Sequence, residues 1–93
     1  MNLEKMYSFE EMTNEAERLV LEELGTQLEE LRDTACLTEE CVLDMAAYAL
    51  NHVQPMYRVN LLGRLYAKSM GEEHEDEIRQ AVADAITKVS RDK

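Results

Sequence analysis

The sequence predicts a small, single-domain all-α protein, and three observations carry that prediction. Apolar residues recur at spacings of three and four in three separate stretches, the pattern of helices that bury one face. Residues suited to capping stand at the start of each stretch: Asn14, Thr38 and Ser69. The length of 93 residues suits one domain and not two. Residues 1–93 therefore read as one unit, with residues 1–12 as a disordered tail.

The first helix is expected from about residue 14 to 32. Val20, Leu24, Leu28 and Leu31 form its stripe, with Ala16 one turn earlier. Asn14 is the expected N-cap, with Glu17 three residues on. Gly25 costs about 1 kcal/mol relative to Ala inside a helix, which suggests a close approach by another backbone.

The second helix is expected from about residue 39 to 53, capped by Thr38. Glu39 and Glu40 suit the positive end of its dipole. Cys41, Val42, Met45, Ala46, Ala49, Leu50 and Val53 make it apolar around much of its circumference. It reads as the most buried helix and the central packing element. Pro55 excludes helical geometry at Gln54 and is expected to end it.

The third helix is expected from about residue 72 to 90, with Ile78, Val82, Ala85, Ile86 and Val89 as its stripe. Ser69 followed by Glu72 fits a capping box. Acids at its start and Lys88, Arg91 and Lys93 at its end complement the dipole. Residues 54–68 read as an irregular or extended segment, because Tyr57, Val59 and Leu61 alternate as in a strand.

Charge is unevenly distributed. The chain holds twenty acidic and ten basic residues, a net charge of −10. Residues 45–71 contain no acid, yet hold Arg58, Arg64, Lys68, His52 and three of the four tyrosines. This segment is the candidate binding region: guanidinium groups match phosphate oxygens, and Tyr57 and Tyr66 can stack on a base. The alternative is that these cations pair with the abundant carboxylates. Three cations cannot track a DNA backbone, so duplex DNA is not an expected partner. No hydrophobic run approaches the length of a membrane span. The first twelve residues lack a signal-peptide pattern, so the expected location is the cytoplasm.

In that compartment Cys36 and Cys41 are expected as reduced thiols. Structural zinc takes four Cys or His ligands. Cys36 and Cys41 would give an incomplete site unless a dimer pooled them. Asp44, three residues beyond Cys41, reads as structural, and Asn51 as a group that satisfies carbonyls at the helix end. The paired glutamates read as solvated faces rather than acid–base machinery. His74, among acids, reads as part of a frayed helix start. Ser8, Ser69 and Ser90 lack His–Asp partners and elbow-type glycines. No enzymatic activity is expected.

The stretch ACLTEECVLDMAAYALNHVQPMY, residues 35–57, resembles the signature of the late competence development protein ComFB family. That signature runs Cys-x-Cys-x-x-Cys-x-x-Asp, an apolar helix ending Ala-Leu-Asn, then Pro-x-Tyr. Cys36, Cys41, Asp44, Ala49-Leu50-Asn51, Pro55 and Tyr57 match it. Tyr66-x-Lys68 matches a further pair, and the resemblance extends over about residues 14–89. One departure is Thr38, where the family carries its middle cysteine. The resemblance implies a small helical homodimer associated with competence operons. It implies zinc binding through the cysteines in some members and cyclic dinucleotide binding in others.

On that basis the expected function is a non-enzymatic regulatory protein. It would bind cyclic di-GMP or cyclic di-AMP through Arg58, Arg64, Lys68, Tyr57 and Tyr66 and act on a protein partner. A two-fold symmetric ligand suits a two-fold symmetric dimer. The competing expectation is a structural accessory of competence or DNA-uptake machinery without a small ligand.

Overall fold

The computed structural model describes residues 1–59 and 72–92, with the side chains of Glu72 and Glu73 excepted. A single helical turn, α1 (Leu3–Met6), and a 3-10 turn (Phe9–Glu11) open the chain, and neither buries a residue. The domain follows as β1 (Thr13–Asn14), α2 (Glu15–Glu30), α3 (Glu39–Leu50), β2 (Tyr57–Arg58) and α4 (Glu72–Asp92). The fold class is all-α as expected, with one short antiparallel ribbon added: Thr13 pairs with Arg58 and Asn14 with Tyr57.

Both expected caps are made where their residues are described. Asn14 Oδ1 accepts from the Ala16 N–H at 3.1 Å, and Thr38 Oγ1 accepts from the Cys41 N–H at 3.2 Å. Each satisfies a helix-start donor that has no partner within the helix. The cap expected at Ser69 lies outside the described residues. α3 stops at Leu50, well before Pro55. The Asn51 N–H bonds the carbonyls of Ala47 and Tyr48, and the His52 N–H bonds that of Ala49. This tightening of the last turn, rather than the proline, ends the helix.

One apolar cluster unites the three long helices. It contains Ala16, Val20 and Leu24 of α2, Cys41, Met45 and Ala49 of α3, and Ile78, Ala81, Val82, Ala85, Ile86 and Val89 of α4. The expected stripe of α4 is buried in full. α4, not α3, is the central element: it packs extensively on both α2 and α3, which touch each other less. The reason is stripe length. α4 runs 21 residues with one continuous apolar face, whereas α3 runs 12 and leaves Leu43 63% exposed.

Gly25 also differs from its expectation. A Cβ built there meets nothing within 4 Å, so no backbone approaches it closely. Cys36 and Cys41 correct a third expectation. They are not free thiols but form a disulfide, with their Cα atoms 6.0 Å apart. The chain reverses through the Thr38 cap, and that reversal places Cys36, two residues before the cap, against the first turn of the helix within bonding reach.

Candidate ligand-binding site

The acid-free segment leaves α3 through a turn and enters β2. Two hydrogen bonds to the start of α2, one through Asn14 and one through Glu15, fix its course. Asn14 Oδ1 accepts from the Met56 N–H at 2.7 Å, and the Met56 carbonyl accepts from the Glu15 N–H at 2.8 Å. The N-cap of α2 is thus also the anchor of the candidate segment. Met56 is buried, which places Tyr57 and Arg58 at the surface rim. A second anchor comes from α4: Glu77 Oε1 accepts from the Gln54 N–H at 3.2 Å.

Tyr57 is 55% exposed. Its ring lines a shallow groove with Thr13, Asn14, Glu15, Glu17 and Arg18. Arg58 is partly buried and does not line that groove; its Nη1 donates to the Tyr57 carbonyl at 2.7 Å. Successive strand residues leave opposite faces, so Tyr57 and Arg58 do not converge in one pocket. Arg64, Tyr66 and Lys68 lie outside the described residues. His52 stacks on Tyr48 with ring centroids 4.2 Å apart, and its Nδ1 is 2.7 Å from the Tyr48 carbonyl.

A stretch without acids in sequence is therefore not a surface without acids. The ribbon brings Glu15 and Glu17 to Tyr57, and α4 brings Glu77 to Gln54. Arg18 stands in the same groove, a cation that the sequence reading did not single out. Hydrogen bonds to Glu22 at 2.9 Å and Glu15 at 3.3 Å hold its guanidinium above the ordinary pKa and offset its charge. The signal for Arg18 was the pairing of residues 13–14 with 57–58, which helical periodicity does not report. In the same groove the Thr13 hydroxyl is buried, with no hydrogen-bond partner among the described residues.

The family signature maps onto α3 and its flanks. Thr38, at the position of the family's middle cysteine, caps the helix and lies 3.5 Å from Cys36 Sγ. Asp44 is exposed, without a side-chain hydrogen bond among the described residues. Asn51 serves through its backbone N–H, with its side chain exposed. The sequence pattern of the late competence development protein ComFB family matches residues 13–93. The chain belongs to the ComFB family.

No individually curated protein matches the chain. The ComFB match starts at Thr13, where β1 begins, so α1 and the 3-10 turn precede the family's domain. Among the described residues no three His, Cys, Asp or Glu side chains gather as a metal site. With Cys36 and Cys41 bonded to each other, neither sulfur is a thiolate. Zinc at these residues would require reduction of the bond and ligands from elsewhere. His74 is part of α4, not a frayed end: it is 9% exposed, with Nδ1 3.5 Å from Glu77 Oε2. Ser90, which offered no catalytic pattern, accepts from the Cys36 N–H at 3.2 Å. Among the described residues no helix is long and apolar enough to cross a membrane.

Proposed function

We propose that this ComFB-family chain is a non-enzymatic, cytoplasmic regulatory protein that binds a cyclic dinucleotide and passes that state to a protein partner. The observation that supports it most is the position of β2. An exposed Tyr57 and an adjacent arginine are held at the rim of the domain by a buried anchor, at the head of a segment bearing two further cations and a further tyrosine. Arg58, Arg64 and Lys68 hold the phosphates, and Tyr57 and Tyr66 contact base or ribose.

The fold adds a constraint. Because Tyr57 and Arg58 leave opposite faces of the ribbon, one ligand touching both lies across the end of β2. The groove itself takes no phosphate: Glu15 and Glu17 repel it, and Arg18 is already paired. A neutral base or ribose fits there, against the exposed Tyr57. The protein acts as a homodimer that presents two copies of this set, and ligand binding favours one arrangement of the dimer over another.

Titration calorimetry with cyclic di-GMP and cyclic di-AMP tests the reading. Saturable heat is expected, and it is lost in Arg58→Glu with the helical spectrum unchanged. Absence of heat with both nucleotides at about tens of micromolar, a concentration that gives near-saturation for affinities of about −8 kcal/mol, contradicts the proposal. Full binding by a folded Arg58→Glu removes Arg58 from the site. Sedimentation at twice the chain mass is expected; a monomer at all concentrations sinks the dimer.

A further inference from the structure

The disulfide takes no part in the proposed ligand site. It joins the connection between α2 and α3 to the first turn of α3, five residues along the chain. Its two sulfurs stand in unlike surroundings. Cys41 is 1% exposed and belongs to the apolar cluster, whereas Cys36 is only partly buried and packs against the edge of that cluster. We propose that Cys36–Cys41 is a thiol–disulfide exchange site for a dithiol reductant, and that opening it loosens the α2–α3 connection by removing its covalent tie to α3.

Access decides which sulfur is attacked. A thiolate of the reductant reaches the more accessible Cys36 Sγ and forms a new S–S bond there. The Cys36–Cys41 bond breaks, and its electron pair leaves on Cys41 Sγ. That atom sits at the third residue of α3, where unpaired N–H groups favour negative charge during departure. Glu39 and Glu40 oppose that charge, and burial opposes it further. Cys41 therefore takes up a proton and remains as a small apolar thiol in the cluster where it already packs. The reductant's second thiolate then attacks its own sulfur in the mixed disulfide. Cys36 departs as a thiolate and is protonated. One protein S–S bond has become two thiols, and one dithiol has become a cyclic disulfide.

The structural consequence is confined to one side of the bond. α3 keeps its start, because the Thr38 hydroxyl accepts from the Cys41 N–H whether or not it keeps its 3.5 Å contact with Cys36 Sγ. On the other side, Cys36 reaches the last turns of α4 through its N–H to Ser90 Oγ. Without the covalent tie to α3, that hydrogen bond and the partial packing of Ala35 and Cys36 on the cluster are what hold the connection.

Alkylation with iodoacetamide and amide hydrogen exchange on the full chain test this, before and after treatment with dithiothreitol. Expected are no alkylated cysteine before treatment and one after it in native buffer, at Cys36, with Cys41, 1% exposed, alkylated only once the reduced chain is unfolded. Chain purified as thiols should close the bond on treatment with oxidised dithiothreitol. Exchange in residues 34–38 and 89–91 should accelerate about tenfold or more, while Met45 and Val82 change little, the pattern of a local opening. The Cys36→Ser, Cys41→Ser double variant should show the fast pattern without reductant and not respond to it. Limiting glutathione should leave its adduct on Cys36. Reduction that requires denaturant, a bond that fails to close, an adduct on Cys41, or unchanged exchange after reduction overturns the proposal. None of these readouts involves a nucleotide, so failure here is separable from failure of the ligand reading.

Discussion

Asn14 carries two duties on one oxygen. Its Oδ1 accepts from Ala16 at the start of α2 and from Met56 at the start of the candidate segment. Loss of a cap costs about 1 kcal/mol, and a buried N–H left without an acceptor costs about 1–3 kcal/mol more. Asn14→Ala is therefore expected to destabilise the chain by roughly 2–4 kcal/mol in urea unfolding. Asn14→Asp, which keeps the acceptor, recovers most of that. A loss under about 0.5 kcal/mol, the size of an ordinary surface change, contradicts the double role. The capping half was legible in the sequence, since a cap acts over two or three residues. The Met56 half was not, because the two residues are 42 positions apart and no local pattern links them. The disulfide was misread for a different reason. The expectation of thiols rested on the cellular compartment, whereas the pairing follows from the turn through Thr38.

At the scale of elements, the three long helices and their apolar stripes were legible, since each is a periodic pattern longer than ten residues. Their ranking was not. α3 is apolar nearly all round, yet it leaves Leu43 and Ala47 exposed, while α4 hides a longer stripe among many charges. Overall apolarity reports how much surface is available for burial; only packing reports how much of it is used. Gly25 makes a prediction at this scale. It lies inside α2, is exposed, and has open space where a Cβ would stand. Gly25→Ala should raise unfolding free energy by about 0.5–1 kcal/mol through helix propensity and a less flexible unfolded chain. Destabilisation would mean that the space is filled in the assembled protein, by a second subunit or a partner.

At the scale of the whole molecule, the described residues are spread more widely than a globular chain of this length requires. Their radius of gyration is 15.3 Å, against about 12 Å for a globular chain of this size. α1 and the 3-10 turn contribute to that, for they bury nothing and leave Leu3, Met6, Tyr7, Phe9 and Met12 exposed. A chain this small has limited core, and a second copy is the simplest source of more burial. Electrostatics set the other global constraint. With a net charge of −10, the chain repels anions in general, and an anion that binds must do so where carboxylates are kept back. Arg58 with Arg64 and Lys68 supplies that place in the proposal, and the Glu15–Glu17 groove beside Tyr57 does not. The most direct measurement is thermal unfolding with a panel of cyclic dinucleotides, on the native chain and on Arg58→Glu. At one hundred times its Kd a ligand adds about 2.7 kcal/mol, which in a chain this short raises Tm by roughly 10 °C or more. The account predicts such a rise for at least one cyclic dinucleotide with the native chain and its loss with Arg58→Glu; a melting curve that no member of the panel moves would contradict it.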